Sequence, residues 1–212
     1  MQLFRNRREA GRHLVPLLHE YQEQPDALVV GLARGGVVTA YEVAHGLNLP
    51  LVAFVVRKIG APGNEEFALG AVSETGDTLL NQQSINQLGV SADYLKKTVE
   101  NERKIAQERS QRYRGKNLPA VFTGKTIILV DDGIATGASM EVAIQSLRKA
   151  KAKKIVLAVP VAAPDSLKRL SKEVDEVVCL SSPSDFSAVG SFYRDFGQTR
   201  DEEVMSLLHS AT

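Results

Sequence analysis

One stretch of the chain, residues 127 to 139, constrains the fold more than any other. It reads Ile-Ile-Leu-Val-Asp-Asp-Gly-Ile-Ala-Thr-Gly-Ala-Ser. The aliphatic run from Thr126 to Val130 predicts a strand buried on both faces, as in a parallel sheet. Beyond a short loop, four apolar residues recur at helical spacing: Met140, Ala143, Ile144 and Leu147. The pattern therefore predicts a strand, a tight loop and a helix that begins near Gly137.

The loop has the composition of an anion-binding site. Gly133 and Gly137 let the backbone turn tightly and approach a ligand closely. The first turn of a helix leaves backbone N–H groups without partners, and such groups bind phosphate. Thr136 adds a hydroxyl donor beside them. We therefore predict a phosphate-binding loop that comprises Gly133, Ile134, Ala135, Thr136, Gly137 and Ala138.

Two carboxylates, Asp131 and Asp132, stand between the strand and this loop. Each would repel a phosphate dianion by about 1 kcal/mol per charge pair at 4 Å in water, and by several-fold more when desolvated. The acids therefore need another ligand group. Vicinal ribose hydroxyls would donate hydrogen bonds to them, and Mg²⁺ would supply positive charge, bound directly or through hydroxyls and water. This order of features predicts a sugar-phosphate site.

The stretch resembles the 5-phosphoribosyl-1-diphosphate (PRPP) motif of type I phosphoribosyltransferases, which has aliphatic residues, two acids and a small-residue loop with Thr-Gly. The fingerprints of nucleotide triphosphatases and dinucleotide-binding proteins, Gly-x-x-x-x-Gly-Lys-Ser/Thr and Gly-x-Gly-x-x-Gly, do not occur in the sequence. The resemblance implies a three-layer α/β fold with a mostly parallel central sheet flanked by helices, a flap hairpin and a small C-terminal hood. A simple Asp-Asp-Gly turn is the alternative.

A second strand and loop extend the resemblance upstream. Ala27 to Leu32 is an apolar run that leads into a Gly-Gly loop and then an apolar helix. In the family, the matching loop holds the diphosphate, often through a non-proline cis peptide before the glycines. The resemblance gives that role to Ala33, Arg34, Gly35 and Gly36. A plain turn with a surface arginine is the alternative.

The next strand, Leu51 to Val56, ends at Arg57 and Lys58, and two short strands with a turn at Gly76 follow. In purine phosphoribosyltransferases, an Arg-Lys step leads into the mobile flap. An arginine fork and a lysine point charge both suit phosphate, so Arg57 and Lys58 are candidates to bind the diphosphate. Because adjacent strand residues face opposite ways, it stays open whether both reach the site.

Two further segments complete the predicted domain. Residues 91–114 are dense in charge and predict a long exposed helix, inserted between flap and PRPP motif, that covers the site, forms a subunit contact or is merely solvated. The flap and insertion together span about 58–118. The hood spans about 181–212 and holds an aromatic cluster. In the family a hood ring stacks on the base, which points to Phe192, Tyr193 or Phe196, with plain core packing as the alternative.

Composition agrees with one domain over residues 1–212. The chain has 212 residues, 43% of them hydrophobic and 24% charged, which suffices for a full α/β core. A net charge of +1 gives no strong electrostatic field that would attract nucleic acid or an anionic membrane. The amino terminus lacks the apolar core of a signal peptide, and the apolar run from Ile155 to Pro164 is too short to span a bilayer. We therefore expect a cytoplasmic protein.

The resemblance implies Mg²⁺-dependent transfer of the 5-phosphoribosyl group from PRPP to a nitrogenous acceptor such as a nucleobase, with release of diphosphate. Asp131 and Asp132 would then lie near the developing ribosyl cation, while Mg²⁺, Arg34 and Lys58 would accept charge on the diphosphate. A homodimer is common in the family. The same motifs also fit a regulatory protein that senses PRPP or a nucleotide, acts on RNA or a partner, and has no transferase activity.

Overall fold

A computed structural model of the protein describes residues 3–114 and 121–211, without the side chains of residues 65 and 66. In this part of the chain the strands are β1 (Ala27–Ala33), β2 (Leu51–Ala61), β3 (Asn64–Ser73), β4 (Thr78–Leu80), β5 (Thr126–Val130), β6 (Lys154–Val161) and β7 (Glu176–Ser181). The α-helices are α1 (Arg7–Leu14), α2 (Gly35–Leu47), α3 (Gln82–Gln87), α4 (Ala92–Arg114), α5 (Ala138–Lys149), α6 (Pro164–Leu170) and α7 (Asp201–Ser210). Two 3₁₀ helices cover Val15–Tyr21 and Val189–Phe192.

The strands form one sheet in the order β4-β3-β2-β1-β5-β6-β7. Strands β2, β1, β5, β6 and β7 are parallel to one another, and β3 and β4 add an antiparallel edge. Successive side chains of β5 point to opposite faces. Ile127 and Leu129 pack in one core cluster with Ile144 of α5, whereas Ile128 packs in another with Val43 of α2. The predicted mostly parallel α/β sheet flanked by helices is therefore confirmed.

The flap region differs from the prediction in one respect. The predicted turn at Gly76, where φ is 93°, does join two antiparallel strands. However, β2 does not end at Val56. It continues to Ala61, pairing first with β1 and then with β3, and turns at Gly63. Arg57 and Lys58 therefore lie within a continuous strand rather than at its end.

The inserted helix is present as α4, but it is not exposed all round. Ala106, Ser110 and Tyr113 are buried. Glu102 accepts a hydrogen bond of 2.7 Å from Arg57, which ties the helix to β2. Residues 115–118 of the predicted insertion lie outside the described residues. Among the helices that the structure describes, none is long and apolar enough to cross a membrane.

Candidate active site

The loop between β5 and α5 presents a row of backbone amides. The helix begins at Ala138, directly after Gly137, whose φ of 79° turns the chain into it. The amide of Glu141 donates to the carbonyl of Gly137 at 2.9 Å. Within the described residues, the amides of residues 135–140 have no acceptor. This is the set of free N–H groups that an anion requires.

The carbonyl groups of the same loop are held by α6. The hydroxyl of Ser166 donates to the carbonyl of Ala135 at 2.6 Å. The guanidinium of Arg169 donates to the carbonyl of Thr136, also at 2.6 Å. Fixed carbonyls fix the peptide planes, so the free amides keep their direction without a ligand.

Ile134 departs from the predicted phosphate-binding set. Its amide donates to the carbonyl of Val161 at 2.9 Å, and its side chain is buried in the core cluster below the loop. An amide that already has an acceptor is not available to a phosphate. Ile134 anchors the loop to β6 instead, and the prediction for this residue is corrected.

Each aspartate of the pair has one oxygen engaged. Oδ1 of Asp131 accepts the backbone N–H of Asp132 at 2.8 Å. Oδ2 of Asp132 accepts Nε–H of Arg7 at 2.6 Å. Apart from an interaction between the two carboxyl groups themselves, no donor in the described part of the protein reaches Oδ2 of Asp131 or Oδ1 of Asp132. Two neighbouring acceptors thus remain for an external donor or cation.

The pair carries an electrostatic cost. Burial, and then the neighbouring carboxylate of Asp132, hold the pKa of Asp131 well above its ordinary value. Burial also raises the pKa of Asp132, and the guanidinium of Arg7 opposes that rise. A ligand that brings donors or positive charge would relieve this cost.

This cost predicts a stability effect in the free protein. When the folded-state pKa of an acid lies above its unfolded value, the native state binds more protons, so stability falls as pH rises through that interval. We expect Asp131→Asn to raise Tm at pH 8 by at least roughly 2 °C, about 1 kcal/mol for a chain of this size, with a smaller gain at pH 4. Differential scanning calorimetry at both pH values, with exposed Asp185→Asn as the control, would measure it. An unchanged or lowered Tm at pH 8 would contradict the claim that the ionised aspartate pair destabilises the folded protein.

The Gly35–Gly36 loop lies directly against the two acids. A Cβ atom on Gly35 would lie 2.2 Å from Oδ2 of Asp132, and one on Gly36 would lie 2.6 Å from Oδ1 of Asp131. Only glycine permits this approach. The peptide bond before Arg34 is cis, as the family resemblance implies.

The side chain of Arg34 points toward α7 rather than toward the aspartate pair. Its Nη1 lies 3.9 Å from Oδ1 of Asp201. Arg109 and Arg112 of α4 share that carboxylate, each at 3.4 Å. Three guanidinium groups around one carboxylate leave an excess of positive charge beside the loop.

Two cavities lie at this edge of the sheet, and Lys58 lines both. The first, of about 570 Å³, is lined by the β5–α5 loop and by Asp131, Asp132, Phe67, Ala68, Asn81, Ser84 and Val189. The second, of about 440 Å³, is lined by Ala33, Arg34, Arg57, Gly60, Tyr94, Thr98, Asn101, Glu102 and Arg109. The first cavity therefore brings together the loop, the acids and Lys58, whereas Ala33, Arg34 and Arg57 of the predicted diphosphate set line the second.

The predicted hood aromatics do not line either cavity. Phe192 and Tyr193 are buried in a cluster with Phe4, which matches the core-packing alternative. The ring of Phe196 contacts the guanidinium of Arg7, 3.8 Å from the ring centroid, and the ring of Tyr193 at 4.9 Å. The residue of this segment that reaches the first cavity is Val189.

Sequence reasoning missed Arg7. It lies 125 positions before the aspartate that it contacts, and a basic, polar amino terminus carries no local signal for a site. Only the docking of α1 at the carboxyl end of β5 brings the two together.

The family model for the phosphoribosyl transferase domain matches residues 4–196. The chain belongs to this phosphoribosyl transferase family. It is 41% identical over 211 residues to proteins of two Mycobacterium tuberculosis strains, CDC 1551 / Oshkosh and H37Rv, both provisionally named as phosphoribosyl transferases. The chain spans about half the length of these curated relatives, 47%.

A solved structure agrees with the fold over the whole length. The crystal structure of the protein TT1426 from Thermus thermophilus shares 43% identity with the chain, covers 99% of each chain and superposes with a TM-score of 0.77. The α/β architecture described above therefore agrees with a solved structure over nearly the whole chain.

Proposed function

We propose that the protein transfers the 5-phosphoribosyl group of PRPP to a nitrogenous acceptor in a Mg²⁺-dependent reaction and releases diphosphate. The observation that carries the proposal is the adjacency of free amides, a pair of acids with unused oxygens, and a glycine loop. These three features correspond in order to the 5-phosphate, the vicinal ribose hydroxyls and the 1-diphosphate of PRPP. Because the chain spans about half of its curated relatives, the proposal concerns this chain alone.

The 5-phosphate would bind at the start of α5. The amides of Ala135, Thr136, Gly137 and Ala138 have no acceptor in the part of the chain that the structure describes, and the Thr136 side chain adds a hydroxyl. The N-terminal end of the helix dipole favours the negative charge. Gly133 lets the C-terminal segment close over the loop, since a Cβ there would lie 2.5 Å from Val189 Cγ1.

The ribose hydroxyls would donate to the two unused oxygens, Oδ2 of Asp131 and Oδ1 of Asp132. The residues also fit Mg²⁺, which prefers carboxylate, phosphate and water oxygens. No group of three or more metal-binding side chains exists among the described residues, so the aspartates would hold the ion together with phosphate and water oxygens. When bound, Mg²⁺ would neutralise charge on the leaving diphosphate.

The transfer breaks the bond from the anomeric carbon to a diphosphate oxygen while the acceptor nitrogen forms its own bond to that carbon. The ribosyl centre gains oxocarbenium character, as at other acetal carbons. Asp131 and Asp132 would stabilise that positive charge because they are partly buried and held by hydrogen bonds from Arg7 and from the backbone N–H of Asp132. No covalent nucleophile is required.

The diphosphate would lie along the Ala33–Gly36 loop. Lys58 is its best-placed cation, because it lines both cavities and has no ion-pair partner within the described residues. Arg34 and Arg57 line the second cavity but already face Asp201 and Glu102. They would contribute positive potential there or exchange partners when the diphosphate binds.

The acceptor would enter the first cavity from the side of β3 and α3. That wall carries Phe67, Ala68, Asn81 and Ser84, which offer one aromatic ring and polar side chains to a base. Val189 approaches from the hood. We propose a nucleobase as the acceptor class and a place in cytoplasmic nucleotide metabolism. The predicted homodimer stays a prediction.

Diphosphate release tests the proposal. The protein is mixed with PRPP, Mg²⁺ and each of a panel of nucleobases, and diphosphate is measured by a coupled enzymatic assay. We expect release above the hydrolysis blank with at least one base. Binding of PRPP by calorimetry without release for any base would instead support the sensor hypothesis, and absence of PRPP binding would contradict both.

A further inference from the structure

The inserted helix α4 forms one wall of the second cavity. The side chains that it contributes recur at intervals of one or two helical turns, so they share one face of the helix. They are Tyr94, Thr98, Asn101, Glu102 and Arg109. This face is polar and lies opposite the end of β1 and the middle of β2, which supply the rest of the lining. Helix α4 is therefore part of a cavity and not merely a solvated insertion.

The position of this wall does not depend on a ligand. The hydroxyl of Tyr94 donates to the carbonyl of Gly60 in β2 at 3.1 Å. One turn or more further along, Glu102 accepts the 2.7 Å hydrogen bond from Arg57. Beyond it, Ala106 is buried in a core cluster with residues of β2 and α2. Three successive contacts thus hold the helix against the sheet.

The cavity is strongly cationic. One carboxylate, that of Glu102, lies in its wall, against four basic side chains: Arg34, Arg57, Lys58 and Arg109. Just outside it, the carboxylate of Asp201 is shared among three guanidinium groups. Counting Asp201 and the exposed Arg112 as well, five basic groups face two acids among the described residues. The excess of positive charge therefore persists when the neighbours of the cavity are included.

The arginines keep donors that the protein does not use. Arg109 faces Asp201 through Nε at 3.4 Å, and that carboxylate also accepts the hydroxyl of Tyr113 at 2.6 Å. Arg57 uses Nε for Glu102. Among the described residues, the terminal Nη nitrogens of Arg57 and Arg109 have no hydrogen-bond acceptor. Guanidinium groups with such nitrogens available bind phosphate oxygens in pairs.

We propose that the second cavity is an anion-binding site, that Arg109 of α4 is one of its binding residues, and that its ligand carries two or more linked phosphate groups. The cations come from three separate elements, so an extended anion matches them better than a single phosphate. The volume of about 440 Å³ suits a small ligand. Anion binding does not depend on transfer; only if the ligand is the diphosphate of PRPP does the site rest on the proposed function.

Calorimetric titration with inorganic tripolyphosphate, without Mg²⁺ or a base, tests the site. We expect Arg109→Gln to raise Kd at least about tenfold, because a charge-assisted pair of hydrogen bonds is lost. Arg112→Gln is the matched control: Arg112 lies on the same helix and pairs with the same carboxylate at 3.4 Å, but it is 57% exposed and does not line the cavity. Its Kd should equal that of the wild type. Absence of binding to the wild type, or equal Kd values for Arg109→Gln and Arg112→Gln, would overturn the proposal.

A second variant should bind the same probe more tightly. Glu102→Gln removes the negative charge from the cavity wall and keeps an amide oxygen as acceptor for Arg57. We expect Kd for tripolyphosphate to fall at least about threefold, since repulsion between like charges is removed. Loss of folded structure cannot produce tighter binding, so this variant decides the matter even if Arg109→Gln does not fold. An unchanged or raised Kd in Glu102→Gln would contradict an anion in this cavity.

Two further titrations define the ligand. Orthophosphate should bind at least about tenfold more weakly than tripolyphosphate, and equal affinities would contradict a ligand with linked phosphates. With PRPP present, loss of tripolyphosphate binding would identify the diphosphate of PRPP as the ligand, whereas simultaneous binding would identify a separate phosphorylated effector; both results support the site. If the wild type binds tripolyphosphate but neither binds PRPP nor releases diphosphate, the proposed function fails and the anion site stands.

Discussion

Replacement of both Asp131 and Asp132 by asparagine is expected to lower kcat/KM for PRPP at least a hundredfold. A hydrogen bond to a charged group contributes about 1.5–3 kcal/mol, so loss of two such bonds corresponds to about 3 kcal/mol or more in the transition state. The fold should persist, because asparagine keeps the size of the side chain and an acceptor for the backbone N–H of Asp132. Diphosphate release under kcat/KM conditions measures the effect.

Single variants give the controls for this prediction. Asp132→Asn alone should lower kcat/KM at least tenfold, about 1.4 kcal/mol, with the fold intact by circular dichroism. Asp185→Asn, on the exposed surface, should leave kcat/KM unchanged. Wild-type kcat/KM in the double variant would show that neither carboxylate takes part in the mechanism.

The second large effect concerns stability. Glu74 has a fully buried side chain, and Oε2 accepts the backbone N–H of Val55 at 2.9 Å. Its other oxygen pairs with Arg114, whose side chain is 8% exposed and whose guanidinium carbon lies 5.5 Å from the centroid of the Phe122 ring. Arg114→Met leaves this carboxylate buried and unpaired, which should lower the free energy of unfolding by about 3–5 kcal/mol. Urea denaturation would measure it.

A double variant distinguishes the pair from simple loss of packing. Glu74→Gln combined with Arg114→Met removes both charges, so it should recover part of the lost stability. Lys104→Met is the control, because the exposed pair between Lys104 and Glu108, at 4.0 Å, should contribute less than about 1 kcal/mol. A loss in Arg114→Met no larger than in Lys104→Met would show that the buried pair does not stabilise the fold.

The parts of the site that lie close together in sequence could be predicted. The strand, the acids, the glycines and the helix of residues 126–149 follow one another, so hydrophobic periodicity and turn chemistry define them. The same holds for the loop at Gly35–Gly36 and for the hairpin turn at Gly76. In each case one short segment contains the whole signal.

Features that depend on tertiary packing could not be predicted. A glycine after an apolar helical run is a common helix end, but α2 continues past Gly46 to Leu47, with Asn48 as its C-cap at a φ of 52°. Gly46 is instead a packing position, since a Cβ there would lie 2.7 Å from Val15 Cγ2. The sequence alone does not distinguish a glycine that ends a helix from a glycine that lets another segment pack closely against the helix.

The aromatic cluster and Arg7 show the same limit at the site. Phe192 and Tyr193 have the placement of a base-stacking hood, yet the docking of the amino-terminal segment around Phe4 buries them. Ile134 lies in the middle of the predicted phosphate-binding loop, yet its amide donates to the carbonyl of Val161 in β6. Partners that are distant in sequence decided each outcome.

A crystal structure with PRPP and Mg²⁺ would show directly whether PRPP binds at the β5–α5 loop and the two aspartates. We expect the 5-phosphate to accept hydrogen bonds from the amides of residues 135–138. We also expect the ribose hydroxyls to lie within hydrogen-bonding distance of Oδ2 of Asp131 and Oδ1 of Asp132. PRPP bound elsewhere, with the β5–α5 loop empty, would contradict both expectations.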